Sequence, residues 1–389
     1  MIIKNKFADS MGAFRVTKVR NQAISEASDS PLLEDEVTLK ARKLHQGYLP
    51  TTVCDVEEMC AGVKRFTFQF SFIPYFTPGQ YLSLRLKIGD SIVSRPYSIC
   101  SSRSLAKEQH QLQIIVKKAD GGFVSSYLVD RLSIGDHVEI EYGLGEFTID
   151  RFRDKPKILA IAGGVGITPF LSMAKSLQES NPHGIEMTIL YGCQKESEIV
   201  AKKELDALNH DHVRVIYVLA DEPSWTGEHG FISTEIIQKY APKEPYSVFF
   251  CGPTAMKYFV IKELSKLKYD IRKIRMESFG GIDISKDTRY PKDLLDKYYK
   301  LTIHRGMETL TVDAFVQEPI AVALERAGIK IHTRCRGGVC GICRIKVISG
   351  NVYVPEENDG RRDADKKLGY VHCCHAYPMS DLEIKIPIE

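Results

Sequence analysis

No stretch of about 18 consecutive apolar residues occurs, so the sequence encodes no ordinary transmembrane helix. The best apolar run, Ile158 to Met173, is broken by Gly163, Gly164, Gly166 and Pro169. The opening Met1 to Lys6 lacks the apolar core of a secretory signal. Charge imbalance is also small: 53 Lys and Arg face 50 Asp and Glu, leaving +3. That is far from the positive field with which dedicated nucleic-acid binders neutralise phosphate. The chain has one tryptophan, Trp225, and no internal repeat or low-complexity tract, and its 11 histidines form no metal-ligand pattern. The expectation is a cytoplasmic, water-dissolved protein, with no nucleic acid and no membrane insertion.

The chain's 389 residues exceed one ordinary domain. With 43% hydrophobic and 26% charged residues, each part can bury a core. Residues 1–47 are polar and mixed and read as an N-terminal extension. A helical hint at Ser30-Pro31 pairs an N-cap residue with a proline at the first position. From 48 to 153, period-two runs such as Val63–Phe70, Tyr81–Leu86 and Leu112–Val116 alternate with glycine- and proline-marked turns. Many short strands and one brief helix, near Ser125 to Leu132, predict an antiparallel barrel. From 154 to 279, buried-strand runs alternate with helical stretches, which implies crossover connections and a parallel sheet. Residues 280–297 read as a linker and 298–389 as a third compact unit.

Ten cysteines are spread unevenly, with Cys335, Cys340, Cys343, Cys373 and Cys374 near the C-terminus. Reducing surroundings disfavour disulfides there, so ligation is the better explanation. Cys335-Arg336-Gly337-Gly338-Val339-Cys340-Gly341-Ile342-Cys343 has the C-x4-C-x2-C spacing of plant-type [2Fe–2S] clusters. Three thiolates on a glycine-rich loop can reach two irons, with backbone N–H groups turned toward the sulfides. A four-cysteine zinc site is the alternative, but such sites favour C-x2-C pairs. Spacing alone leaves the fourth ligand open between Cys373 and Cys374.

Two further motifs point to nucleotide cofactors. Arg95-Pro96-Tyr97-Ser98 offers a guanidinium for pyrophosphate, an aromatic ring for stacking and a hydroxyl for a ring nitrogen. Gly121-Gly122, followed by Ser125, enters a short helix whose N-terminus suits phosphate. Taken alone, the first of these is also what a surface arginine beside a core tyrosine would give. Gly163-Gly164-Val165-Gly166-Ile167-Thr168-Pro169 lies directly between a buried strand and a helix, and Cys251-Gly252-Pro253 follows a later strand. A glycine loop in that position lets a dinucleotide pyrophosphate approach the helix N-terminus. The plainer alternatives are a tight strand-to-helix turn and a buried strand-end cysteine.

Together these residues resemble the ferredoxin–NADP reductase superfamily, here fused to a C-terminal plant-type ferredoxin domain. The resemblance implies an antiparallel β-barrel flavin domain, an α/β parallel-sheet nicotinamide domain and an α+β β-grasp ferredoxin domain. It implies that Arg95 contacts the flavin pyrophosphate, Tyr97 stacks on the ring, and Ser98 approaches its N5. Gly121, Gly122 and Ser125 would hold the diphosphate, which favours FAD over FMN. Gly163, Gly164, Gly166, Thr168, Gly252 and Pro253 would bind the nicotinamide dinucleotide. Tyr97, Ser98, Thr168 and Cys251 would surround hydride transfer, with Phe279 near the flavin. Cys374-His375-Ala376-Tyr377-Pro378-Met379-Ser380-Asp381 resembles the segment around the last ferredoxin ligand. It makes Cys374 the fourth metal ligand, beside Cys335, Cys340 and Cys343.

Gln194 replaces an arginine that many relatives carry after Tyr191-Gly192, so NADH versus NADPH stays open. The implied function is an NAD(P)H-dependent electron-transfer reductase, passing electrons through flavin and cluster. Its acceptor would be a partner redox protein, such as an oxygenase, hydroxylase or hybrid-cluster protein. The alternatives are a redox-sensing module and a reductase acting directly on a small molecule.

Overall fold

The structure, a computed structural model, describes residues 17–19, 21–22, 47–277 and 284–387. Residues 1–47 form a unit of their own, in which 17–19 and 21–22 are helical. The expected helix start at Ser30-Pro31 lies outside the described residues, and everything below concerns the unit from Tyr48 onward.

The first six strands form one antiparallel sheet. They are β1 (Leu49–Cys60), β2 (Val63–Gln69), β3 (Tyr81–Ile88), β4 (Ser91–Ser98), β5 (Gln111–Lys117) and β6 (His137–Leu144), in the order β4-β3-β6-β1-β2-β5. A bridge between Ile99 and Ile114 joins the two edges and closes the barrel. Phe66, Phe68, Leu82, Leu84, Leu112 and Ile114 fill it and are fully buried. Each contributes about 1.5–3 kcal/mol by leaving water. On β2 the alternation is partly hidden because the outer face is also covered. Arg65 is buried there between Glu57, at 3.0 Å, and Glu204 of the next domain. Helix α1 (Arg103–Gln109), which the sequence did not announce, is capped by the Ser102 hydroxyl accepting from the Leu105 N–H. Helix α2 (Phe123–Arg131) begins at Gly122.

The second sheet is parallel throughout. Strands β7 (Lys157–Gly163), β8 (Glu186–Cys193), β9 (Val213–Leu219), β10 (Glu228–His229), β11 (Tyr246–Cys251) and β12 (Arg275–Glu277) lie in the order β10-β9-β8-β7-β11-β12. The crossovers carry α3 (Thr168–Glu179), α4 (Lys202–Leu208), α5 (Thr234–Tyr240) and α6 (Thr254–Lys266). Strand order reverses between β7 and β11, which places the expected ligand crevice at the C-terminal ends of those strands. Arg275 ties β12 to the segment after the barrel through Asp154, at 3.1 Å, and the Thr148 carbonyl.

The third sheet is mixed: β13 (Tyr298–Arg305), β14 (Glu308–Phe315), β15 (Arg344–Ser349), β17 (Tyr370–His372) and β19 (Leu382–Lys385), in the order β14-β13-β19-β15-β17. Only β13 and β19 run parallel. Helix α7 (Ile320–Arg326) packs Ile320, Ala321, Ala323 and Leu324 against Leu301, Ile303 and Ile384, a sheet grasping one helix. A two-stranded ribbon, β16 (Val352–Tyr353) with β18 (Tyr377–Pro378), and the short α8 (Asp363–Lys367) complete it. The described part of the expected linker packs on this domain, with Ile284 and Tyr290 buried against Tyr377. Among the described residues no helix is long and apolar enough to cross a membrane.

The ferredoxin-like domain lies directly on the barrel. The Ser94 and Thr333 hydroxyls meet at 2.6 Å, and Arg334 pairs with Glu141. Gly328 has φ +69°, and a Cβ there would stand 3.2 Å from the Asp90 carbonyl, so this close approach suits glycine.

Candidate functional site

Strand β4 presents Arg95 and Tyr97 on one face and Pro96 and Ser98 on the other, as strand geometry requires. Arg95 Nη1 donates to the Ser94 carbonyl at 2.8 Å and to both Glu325 oxygens, at 3.3 and 3.4 Å. No other hydrogen bond of this side chain is found among the described residues, so the remaining edge of the guanidinium can take a phosphate. Burial lowers the Arg95 guanidinium to about 10 and pushes the Tyr97 phenol well up. Gly121 has φ +66°, and Gly122 caps α2 without any side-chain acceptor. A Cβ on Gly122 would come within 2.3 Å of Ser125 Oγ, which itself accepts from the Ala119 N–H. The first-turn N–H groups of α2 are therefore available to an anion. No hydrogen bond joins this turn to Arg95 among the described residues.

The glycine loop after β7 folds as a 3-10 turn, Gly164–Ile167, leading into α3 with Pro169 in its first turn. A Cβ on Gly166 would lie 2.2 Å from the Cys251 carbonyl oxygen, so the loop rests directly on the Cys251-Gly252 backbone. A Cβ on Gly163 would meet the Met256 sulfur at 2.3 Å. The Thr168 hydroxyl donates back to Val165 and locks the turn. Beside it opens a cleft of about 510 Å³, lined by Gly163, Gly164, Gly192, Gln194, Phe231 and Pro253. Lys195, which follows Gln194, is exposed and lies 3.8 Å from Asp221.

Ser98 and Cys251 are brought together by a residue that sequence reasoning did not single out. Glu277 pairs in register with Cys251 across β11 and β12, and it accepts a hydrogen bond from Ser98 Oγ at 3.0 Å. Burial raises its carboxyl to about 8 and holds the Cys251 thiol well above its usual range. At neutral pH the pair is therefore a neutral carboxylic acid beside a neutral thiol. The available signal was slight: one acid, two residues before Phe279. Phe279 itself lies outside the described residues.

The cysteine loop has left-handed backbone at Arg336, Gly338 and Gly341, with φ of +52°, +84° and +74°. Gly338 has no room for a side chain, since a Cβ would lie 2.7 Å from the His375 ring. The Gly337 N–H points at Cys335 Sγ, 3.4 Å away. The thiols meet in groups: Cys335 with Cys340, and Cys343 with both Cys373 and Cys374. Cys335 is drawn down by the Cys340 thiol and by the N–H groups of Gly337, Cys340 and Val339. Two separate thiol groups, Cys335 with Cys340 and Cys343 with its neighbours, lie under inward-facing N–H groups and fit the two irons of such a cluster.

The buried acid and the cysteine loop open on one place. A cleft of about 640 Å³ is lined by Tyr81, Gly145, Met276, Glu277, Cys335 and Cys340, drawing on all three domains. Tyr81, on β3, is the register partner of Ser98 on β4, so the strand beside the flavin-side strand, the dinucleotide-side acid and the cysteine loop share this cleft.

Comparison with known proteins agrees with this layout. Residues 50–149 match the oxidoreductase FAD-binding domain family, 160–262 the oxidoreductase NAD-binding domain family, and 304–379 the 2Fe-2S iron-sulfur cluster binding domain family. The chain is 25% identical over 327 residues to a glycine betaine monooxygenase reductase subunit of Chromohalobacter salexigens, covering 80% of this chain and 87% of that one. It is 34% identical over 197 residues to NADH-cytochrome b5 reductase 1 of Dictyostelium discoideum, covering 49% and 67%. The solved structure of phthalate dioxygenase reductase superposes with a TM-score of 0.64 at 23% identity, covering 88% of this chain and 98% of that one, and so shares the three-part fold. The chain belongs to the ferredoxin–NADP reductase superfamily, in the branch whose flavoproteins carry a C-terminal plant-type [2Fe–2S] ferredoxin domain.

Proposed function

We propose that this chain is the reductase component of a multicomponent oxygenase, taking electrons from NADH or NADPH and delivering them singly to an oxygenase partner in the cytoplasm. The observation that carries this reading is the common cleft where Tyr81, Glu277, Cys335 and Cys340 meet. The relatives named as monooxygenase reductase subunits support the choice of acceptor. Residues 48–153 would form the flavin unit, 154–279 the dinucleotide unit and 298–389 the cluster unit, with 280–297 connecting them. When bound, FAD takes two electrons as hydride and yields them one at a time, and the cluster carries single electrons onward.

The protein's contribution is position and environment. Arg95 would hold the flavin phosphate on its free guanidinium edge, with the N–H groups after Gly121 and Gly122 and the Ser125 hydroxyl receiving the rest of the diphosphate. Tyr97 would support the ring. Gly163, Gly164 and Gly166 would let the backbone approach the dinucleotide pyrophosphate, while Thr168, Gly252 and Pro253 would shape its crevice. Ser98, hydrogen-bonded to a protonated Glu277, and Cys251 would line the place of hydride transfer and keep it free of formal charge. Cys335, Cys340, Cys343 and Cys374 would ligate the cluster.

The test is anaerobic addition of NADH or NADPH to the purified, reconstituted protein, followed by optical and electron paramagnetic resonance spectra. Flavin bleaching, then a reduced-cluster signal, then rapid reduction of cytochrome c support the reading. Bleached flavin with a cluster that stays oxidised overturns it. Negligible turnover with a fully reducible cluster would instead mark a sensor.

A further inference from the structure

Glu325 is a buried carboxylate on α7, a helix that is otherwise largely apolar. It belongs to the ferredoxin-like domain, yet its oxygens face two arginines of different origin. One is Arg95, on the flavin-side strand, at 3.3 and 3.4 Å. The other is Arg336, in the cysteine loop between Cys335 and Cys340, whose Nη2 donates to Glu325 Oε1. The Ser94 N–H, on the same flavin-side strand, is 3.3 Å from Glu325 Oε1. Arg336 is itself buried in left-handed backbone, and its Nε has no hydrogen-bond partner. Two guanidinium groups therefore share one buried carboxylate, that of Arg336 buried with it and that of Arg95 still partly exposed, leaving one positive charge for anions on either side.

We propose that Glu325 is the positioning residue that joins the flavin site to the cluster loop and so sets the passage of electrons between them. The proposal rests on the reductase reading above. The step it serves moves one electron from reduced flavin to oxidised cluster; no bond forms or breaks, and Glu325 handles no proton. A cluster held by four thiolates is an anion, and more so once reduced. Arg336 favours the reduced form, and Glu325 offsets part of that field while fixing the loop against the barrel. Replacing a carboxylate that bridges the buried Arg336 and the partly exposed Arg95 leaves the Arg336 charge uncompensated. Both the spacing of the two redox sites and the cluster potential should then change.

The experiment uses the full-length protein carrying flavin and cluster, with Glu325→Gln, Arg336→Gln, the double variant and Thr333→Val. Thr333→Val breaks the neighbouring Ser94–Thr333 hydrogen bond without altering charge. Flavin reduction by the dinucleotide and cluster reduction are followed separately by stopped-flow, and the cluster midpoint by electron paramagnetic resonance titration. In Glu325→Gln, we expect flavin reduction within about twofold of wild type and cluster reduction slowed about tenfold or more. The midpoint should rise by about 59 mV, a tenfold change for one electron. Arg336→Gln should move the midpoint the opposite way, and the double variant should return it toward wild type while transfer stays slow. Thr333→Val should leave the midpoint in place.

Unchanged transfer and midpoint in Glu325→Gln overturn the proposal, as does an equal midpoint shift in Thr333→Val. Should Glu325→Gln fail to fold, Arg336→Gln decides alone: a lowered midpoint with slower transfer supports the bridge, and wild-type values overturn it. A wild-type protein whose flavin ignores the dinucleotide would sink the reductase reading instead, which separates the two failures.

Discussion

Glu277 offers the sharpest quantitative test, because its carboxyl is buried, it accepts from Ser98 at 3.0 Å, and burial raises it to about 8. An ordinary glutamate in the unfolded chain releases its proton near pH 4.5. Between those limits the folded protein keeps a proton that the unfolded chain has lost. Stability from this group is therefore fully present below about pH 4.5 and falls as pH rises to about 8, by about 1.4 kcal/mol per pH unit. The loss across the window is on the order of 5 kcal/mol. Glu277→Gln is the matching perturbation: the amide has the shape of the protonated acid, can accept from Ser98, and does not titrate. Urea denaturation of both proteins from pH 5 to 9, followed by subtraction, cancels the other titrating groups. The variant should gain steadily on wild type up to about pH 8 and hold its advantage above it. A difference that stays flat with pH would refute the assignment of a neutral acid in this position.

Arg95→Ala removes the guanidinium from the flavin-side strand; losing a charge-assisted hydrogen bond of about 1.5–3 kcal/mol should let the protein purify largely free of flavin, read from its visible absorption. Cys343→Ala should abolish the reduced-cluster signal and cut transfer to cytochrome c by about 100-fold, with flavin reduction within about twofold of wild type. Equal loss of both activities would contradict the division of labour. Gly166→Ala would force a Cβ to 2.2 Å from the Cys251 carbonyl; since neither backbone can yield, the dinucleotide KM should rise at least about tenfold, or about 1.4 kcal/mol. Gly338→Ala, at φ +84° and 2.7 Å from the His375 ring, should impair cluster assembly, seen as a lower iron content with flavin content unchanged.

The parts of this molecule that could be read directly from its sequence are those written in local spacing. The period-two runs become β2, β3 and β5, the buried runs become β7, β8, β9 and β11, and the cysteine spacing lies on one loop with three left-handed residues. Where local signal was thin, the reading thinned too. Strands β10 and β12 have two and three residues, too few for a period, and α1 has seven residues held by a Ser102 cap. The alternation on β2 is blurred because Arg65 serves an interdomain ion pair rather than solvent.

The two carboxylates that organise the site were hidden for a different reason. Glu277 finds Ser98 across 179 residues of sequence, and Glu325 finds Arg95 across 230. Neither distance leaves a trace in composition or periodicity, since a buried acid looks like a solvated one until its partner is placed. Glu325 did leave one mark: it follows Ile320, Ala321 and Leu324 on the buried side of a short helix, four residues after Ala321. A helix exposes such a glutamate unless something cationic waits for it, because an unpaired buried carboxylate costs several kcal/mol. An acid at a core position of a short helix is therefore a reason to look for the arginine that permits it, and here the search ends on two arginines, one from each redox site.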